Sequence, residues 1–197
     1  MPIPASREDL AIDFANTRFW RGSETPTEGL ADCPALFAWL ARAGLPRQLL
    51  AAADDESAAA ALFAQAIALR EAIYRIFSEI AEGRAAAAAD LSALNAALAL
   101  APPRVRLMRE DPGYAWAAEP SSGGAAALLA PVLWSAADLL ARAEGLRIRR
   151  CANSKCLWLF IDRSKAGTRR WCDMAACGNR AKAQRHYSRT RHTHRPS

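Results

Sequence analysis

The sequence predicts an α+β chain: a mainly helical N-terminal domain with a small β-hairpin, followed by a small module built on cysteines. Three observations carry this. Apolar residues recur at helical spacing through most of the first hundred residues. The period then changes to alternation across "RVRLMRE-DPG-YAWAAE". Four of the five cysteines gather between positions 151 and 177, inside a run of arginines.

The elements follow in order. Ser6 with Asp9 three residues later resembles a capping box ahead of Leu10, Ile12 and Phe14. "CPALFAWLARAGLP" places Leu36, Phe37 and Leu40 on one face and stops at Gly44 and Pro46. "PRQLLAAAD" starts another helix, with Pro46 in its first turn. The longest helix runs over about 57–82, where Leu62, Ile67 (with Ala66), Leu69, Ile73, Ile76, Phe77 and Ile80 form a stripe and Gly83 follows. "AAAAADLSALNAALAL" gives a further helix with Leu91, Leu94 and Leu98 as its stripe, closed by Pro102 and Pro103. In the hairpin, Val105 and Leu107 alternate with Arg104, Arg106 and Met108, and a DPG turn leads to Tyr114 and Trp116. "GGAAALLAPVLWSAADLLARAEG" returns to helix, with Pro131 as a kink or a first turn and Gly145 as the cap. The boundary falls there, giving domains 1–145 and 146–197.

Charge changes sign at the same place. Residues 1–146 hold 12 Lys/Arg and 18 Asp/Glu, a net −6, whereas residues 147–197 hold 14 and 2, a net +12. A short segment so basic calls for a polyanionic partner; a solvated basic tail is the plain alternative. With 52% apolar and 23% charged residues in 197, the chain is expected to fold as a globular protein. "MPIPASREDLAIDF" lacks the basic and apolar regions of a secretory signal, and "PSSGGAAALLAPVLWSAA" is a poor membrane span. The reading is a soluble, cytoplasmic chain without membrane contact, in a compartment where structural disulfides are disfavoured.

The cysteine spacing is Cys151-x4-Cys156-x15-Cys172-x4-Cys177. Two close pairs about fifteen residues apart are the pattern of a four-thiolate zinc site. "LRIRRC" and "CLWLFID" read as strands around the first pair, with Leu157, Leu159 and Ile161 on one side and Trp158 and Phe160 on the other. A helix begins at the last cysteine. That arrangement suits a treble-clef or ribbon-like zinc finger. Its apolar set is thin, and domains this small usually need a metal or a disulfide. A structural zinc supplies about 10–16 kcal/mol of coupled binding and folding free energy. Zinc (Zn2+) is the first reading; an iron–sulfur or other metal, and a disulfide or redox pair, are the alternatives. Four thiolates close the coordination sphere, so the role is structural. Cys33 reads as a plain small side chain, and His186, His192 and His194 as phosphate contacts or tail residues.

"CANSKCLWLFIDRSKAGTRRWCDMAACGNRAKAQRHYSRTR" resembles the CGNR zinc finger over about forty residues, through "C-x4-C", "LFIDRSK", "RRWCDM" and "CGNRAKA". The region from "DLAIDFANT" through "LREAIYRIF" is similar to the ABATE domain that commonly precedes this finger. The resemblance implies a stress-associated bacterial transcription regulator, a finger that binds nucleic acid and an N-terminal sensor. It carries Cys151, Cys156, Cys172 and Cys177 over as metal ligands and Gly178, Asn179 and Arg180 as the signature.

The residues point to nucleic acid by themselves as well. Lys182, Arg185 and Arg189 form a basic stripe on the last helix, with Arg180, Tyr187 and Arg191 on an adjoining face. Arg163, Lys165, Arg169 and Arg170 lie in the loop between the two arms. Arg outnumbers Lys by 11 to 3 in residues 147–197, which suits bidentate phosphate or guanine contact; DNA is the first reading and an RNA-binding finger the nearest variant. Asn179 is expected to cap the helix rather than read a base, and Asp162 to orient Arg163. In the N-terminal domain Asp13, Asn16 and Thr17 share a helix face and form a candidate pocket with Arg70 and Glu71 for an unknown small-molecule effector; satisfied structural polar groups and a surface ion pair are the plainer reading. No catalytic motif appears, so the chain is read as a non-enzyme. The alternative is a small-molecule-binding or enzymatic N-terminal domain with the finger as a structural or protein-interaction module.

Overall fold

The chain's longest stretch without Gly or Pro, residues 47–82, holds its longest helix. In the computed structural model the described residues are 2–4, 9–44, 56–111, 113–117 and 124–183. In chain order they form β1 (Pro2–Pro4), α1 (Leu10–Ala15), β2 (Arg18–Phe19), β3 (Thr27–Glu28), α2 (Cys33–Arg42), α3 (Glu56–Ala81), α4 (Ala88–Leu100), β4 (Arg106–Glu110), β5 (Gly113–Ala117), α5 (Gly124–Leu128), α6 (Ala130–Ala141), β6 (Ile148–Arg150) and β7 (Leu159–Ile161). Ser6 and the helix expected from Pro46 lie outside the described residues.

Helix α3 is the spine. It buries Leu62, Ala66, Ile73, Ile76 and Phe77 against α1, α2, α4 and α5. It ends in a glycine-closed turn: Gly83 sits at φ +73°, its N–H bonds to the Ile80 carbonyl at 3.0 Å and the Arg84 N–H to the Glu79 carbonyl at 2.9 Å. Only glycine takes that backbone angle without steric cost. Helix α1 has six residues and buries five of them, since α3, α6 and β7 cover it from three sides. Asp9 gives it no side-chain cap; the Ser135 hydroxyl of α6 accepts the Ala11 N–H instead, at 3.1 Å. Helix α2 is capped locally, by Asp32 accepting from the Ala35 N–H at 2.8 Å.

Two expectations need correction, the stripe of α4 and the Gly145 cap, and one open alternative, at Pro131, is decided for the first turn. Helix α4 buries Asp90, Leu94 and Ala97, while Leu91 is 39% exposed. The helix is rotated because Asp90 faces α3, where it accepts from Arg75 Nη2 at 2.6 Å and Nε at 3.0 Å. Pro131 falls in the first turn of α6, and Leu129 breaks α5 from it. Gly145 does not cap α6, which ends at Ala141 before a 3-10 turn over Ala143–Gly145.

The alternating segment forms the expected hairpin, with Leu107 opposite Trp116 and Arg109 opposite Tyr114. β1 adds a third strand that the sequence did not signal, in the order β1-β5-β4. Two prolines suit an edge strand, which has no ladder partner on one side. β2 pairs with β3 through two residues each, too few for periodicity to reveal. β6 pairs antiparallel with β7, Ile148 opposite Ile161 and Arg150 opposite Leu159.

Ile148, Leu159 and Ile161 belong to the same buried cluster as α1, α3 and α6. Strand β7 is fixed there by Asn16, just after α1. Its Nδ2 donates to the Leu159 carbonyl at 2.9 Å, and its Oδ1 accepts the Leu159 N–H at 3.0 Å. The amide completes the strand's hydrogen bonding as a neighbouring strand would. Asn16→Ala leaves both backbone groups of Leu159 partly buried and unpaired. The expected loss of stability is about 1–3 kcal/mol, read by urea unfolding of the full chain.

Candidate metal centre and nucleic-acid interface

Cys151 follows directly on β6, its N–H bonded to the Trp158 carbonyl at 2.7 Å. Asn153 shapes the turn to Cys156. Its carbonyl accepts the N–H of Cys156 at 2.8 Å and of Leu157 at 3.2 Å, and its Oδ1 accepts the Lys155 N–H at 3.1 Å. Leu157 then reverses the chain at φ +57°, a left-handed angle unusual for a branched side chain. It therefore stands outside the strand rather than beside Leu159 and Ile161.

The second pair is set by Asp173. Its carboxylate accepts the Ala176 N–H at 2.6 Å and its carbonyl the N–H groups of Cys177 and Gly178 at 3.1 Å each. This opens a π-helical turn, Met174–Gly178, which continues as α-helix over 179–183. The expected cap is thus corrected: Asp173 caps this element, and Asn179 is an exposed helical residue. Gly178 is buried, and a Cβ there would lie 2.9 Å from Met174 Sδ and 3.4 Å from Trp171 Cδ1.

The four sulfurs converge. All lie within 4.8 Å of one another. Cys156 and Cys172 are 3.6 Å apart and Cys172 and Cys177 3.8 Å; a zinc–sulfur bond of about 2.3 Å gives a tetrahedral edge of about 3.8 Å. The donor set and its size therefore fit a closed, structural zinc site. Without a cation, four thiols this close cannot all ionise. Hydrogen bonds from Cys156 and Cys172 hold Cys151 down to about 2, while donating to Cys151 pushes Cys156 up to about 12 and Cys172 higher still. Zinc would resolve this crowding by taking the place of the shared protons. Asn153 adds an outer contact, its Nδ2 donating to Cys177 Sγ at 3.6 Å.

The centre leans on the N-terminal part of the chain. Trp20 packs against the cysteine cluster. The Gly22 N–H bonds to the Lys155 carbonyl at 3.2 Å, and a Cβ on Gly22 would lie 1.9 Å from the Ser154 carbonyl oxygen. Tyr74 donates to the Leu157 carbonyl at 3.0 Å, and Trp158 Nε1 to the Arg18 carbonyl at 3.2 Å. Neither Trp20 nor Gly22 stands out in the sequence; the close approach that requires a glycine exists only once the chain is folded.

The basic residues fall into two groups. Some are tied into the fold. Arg163 makes two bonds to the Asp9 carboxylate, at 2.6 and 2.8 Å. Arg169 donates to the carbonyls of Trp171 and Cys172 and stacks 4.6 Å over Phe160. Asp162, buried at 2% exposure, accepts from the Ser164 hydroxyl and N–H and from the Arg169 N–H. It organises the loop rather than orienting Arg163. Others face solvent: Lys165, Arg170, Arg180 and Lys182 are exposed and have no acidic partner among the described residues. Arg180 lies 4.5 Å over Trp20 and Arg170 5.4 Å from the Trp171 ring. Arg185, Arg189, Arg191 and the three histidines lie outside the described residues.

Asp13, Asn16 and Thr17 line one cavity of about 330 Å³, together with Phe19, Trp39, Arg42 and, from the finger, Trp158. Arg70 is not in its lining. It is 1% exposed and bonds Glu28 at 2.5 and 2.7 Å, Thr17 Oγ1 at 3.2 Å and Glu71 at 3.0 Å. Arg21 joins through Glu71, and its guanidinium stacks 3.7 Å over Tyr74. Burial pushes the Glu28 and Glu71 carboxyls up, but Arg70 and the Leu30 N–H hold Glu28, and Arg21 and Arg70 hold Glu71, below the ordinary value.

Two family models match the chain. ABATE, described as "Putative stress-induced transcription regulator", covers residues 8–143, and the CGNR zinc finger covers residues 147–190. Both are regulator or zinc-finger types. No curated protein matches. No helix among the described residues is long and apolar enough to cross a membrane.

Two outcomes follow from the geometry. Cys172→Ser should cost more zinc affinity than the roughly 10–100-fold lost with an outer-shell partner, while circular dichroism keeps most of its helical signal; elemental analysis reads the metal. Carboxyls with lowered pKa stabilise the fold fully above the ordinary value of 4.5 and lose that contribution as pH falls through their folded values. Glu71→Gln should therefore reduce the difference in unfolding free energy between pH 7 and about pH 3.

Proposed function

Because this chain belongs to the ABATE family, whose description is that of a stress-induced transcription regulator, we propose that it regulates transcription by gripping nucleic acid, DNA in the first place, through its zinc finger. The functional division is residues 1–145 as sensor and 146–197 as binding module, acting in the cytoplasm, where thiols stay reduced. The observation that carries this is the set of exposed cations, Lys165, Arg170, Arg180 and Lys182, in the segment that also holds the closed four-thiolate centre. Such a centre leaves no position for a substrate, so its work is to hold shape. Helix 179–183 presents Arg180 and Lys182 from that anchored base. On this reading Arg163 ties the finger's loop to Asp9 ahead of α1, Arg169 braces the finger, and the exposed four supply phosphate contacts.

A second reading concerns the 330 Å³ cavity. Its size is that of a small-molecule pocket, and such pockets favour domain boundaries. An effector seated there would touch both α1 and Trp158, which hydrogen-bonds the Arg18 carbonyl. Asp13 is the single acid of the lining, which has no histidine, cysteine or lysine, so binding suits it better than catalysis. A thermal-shift survey of amines, amino acids and carboxylates, with Asp13→Asn as control, tests it.

For nucleic acid the measurement is duplex binding by the full chain over a salt series. Log K should fall steeply with log[salt]. Arg180→Gln and Lys182→Gln should each flatten the slope by about 0.9 and weaken all sequences alike. A response that does not depend on salt would sink the reading. The same series with single-stranded and duplex RNA decides which nucleic acid is preferred.

A further inference from the structure

Between the C-terminal end of α3 and the first cysteine turn lies a cleft of about 370 Å³. Arg149, Arg150, Arg169 and Arg170 line it, with Glu82 from the end of α3 and Ser154 from the turn. Arg149 and Arg150 were no part of the basic set singled out in the sequence, because they belong to β6 rather than to the loop or the last helix.

The four guanidiniums are held in different ways. Arg169 donates to the Trp171 and Cys172 carbonyls. Arg149 donates to the Gly167 carbonyl at 2.7 Å, and its Nε lies 3.4 Å from Asp162. A carbonyl satisfies an N–H without neutralising the charge behind it. Arg150 pairs with Glu82, a carboxylate that Arg84 shares. Arg170 is exposed and has no acid within reach among the described residues. With Arg84 and Glu79 beside the Arg150–Glu82 pair, five cations face three carboxylates, Glu79, Glu82 and Asp162. The cleft keeps a surplus of positive charge.

One role for that surplus is to offset the thiolates, since Cys151 also lines the cleft. Cys151 is buried, however, with its sulfur in the cluster, whereas the Arg150 and Arg170 side chains reach solvent. Guanidinium groups fork onto phosphate oxygens with good geometry. The Arg150–Glu82 pair is partly exposed, at 36% and 26%, and a pair so placed is weak enough to be exchanged.

We propose that this cleft is a phosphate site, with Arg150 and Arg170 as its ligands and Glu82 as the resident carboxylate that an incoming phosphate displaces. Under the nucleic-acid reading above, on which this part rests, the phosphate is one of the duplex backbone. Contact then extends from the last helix onto β6, and the N-terminal part of the chain competes with nucleic acid for the finger's arginines.

The test uses the full chain as wild type, Glu82→Gln, Arg150→Gln/Arg170→Gln and Arg150→Lys/Arg170→Lys. Each is assayed for zinc content, duplex binding over a salt series, and amide shifts of Ala152 and Ser154 on titration with inorganic phosphate. Glu82→Gln should bind duplex several-fold tighter. The Gln double variant should flatten the salt slope by about 1.8, with the Lys pair restoring it, and its amides should no longer respond to phosphate. Unchanged affinity in Glu82→Gln together with a wild-type slope in the Gln double variant would overturn the proposal. So would loss of zinc from that variant in a chain whose wild-type amides ignore phosphate, which would assign the arginines to the metal centre alone. A wild-type chain that binds no duplex but still shows the phosphate shifts would uphold the cleft and remove the nucleic-acid reading.

Discussion

Strand β7 is held from two sides, and both halves of the chain depend on it. On one side Leu159 and Ile161 enter the core built by α1, α3 and α6. Burying side chains of this size is worth about 1.5–3 kcal/mol each. On the other side the strand begins three residues after Cys156, Leu157 turning back at φ +57° to reach it. Asn16 locks the register between the two by bonding both backbone groups of Leu159. A slip of one residue would turn Leu159 and Ile161 out of the core and break the Asn16 bonds together.

This changes how the thin apolar inventory of the basic segment is understood. Alone, it is too small to hold a fold, which argues for a metal. The structure gives it a second support, because its strands lie against the helical core. Zinc is then needed most where that core does not reach: the turns at 151–157 and 172–178. Those turns are held by side-chain caps from Asn153 and Asp173, and Trp20 covers the sulfur cluster from the N-terminal side.

The charge division has a similar explanation. A net −6 ahead of a net +12 reads as two unrelated surfaces. In the fold the two meet: Asp9 pairs with Arg163, and Glu82 with Arg150. Arginine serves three purposes within fifty residues. Arg163 ties the loop to Asp9 ahead of α1, Arg169 braces the second arm through backbone carbonyls and Phe160, and Arg170 and Arg180 keep their charge facing outward. In the helical part Arg70 is wholly buried and serves a fourth, joining Glu28 of β3, its neighbour Glu71 on α3 and Thr17 just ahead of β2. A buried ion network of this kind is costly to break and fixes which faces meet.

The sequence by itself determined the elements whose cause is local. Helix α3 came from a 3.6-residue stripe and its glycine stop, the hairpin from alternation and the DPG turn, and the cysteine centre from its spacing, because each signal lies within a few neighbouring residues. The tertiary structure decided what distant residues do to each other. It turned α4 so that Asp90 meets Arg75, and it added β1 to the hairpin. It set Asp13, Asn16 and Thr17 on one cavity while placing Arg70 in a salt-bridge network outside the lining. It also made Gly22 necessary, since only the approach of the Ser154 carbonyl leaves no room for a side chain there. Periodicity reports which face of an element is apolar, but not which partner that face will meet. A polar or charged side chain takes its role from that partner, across separations of 42 to 154 residues in the Arg70, Asn16 and Arg163 contacts.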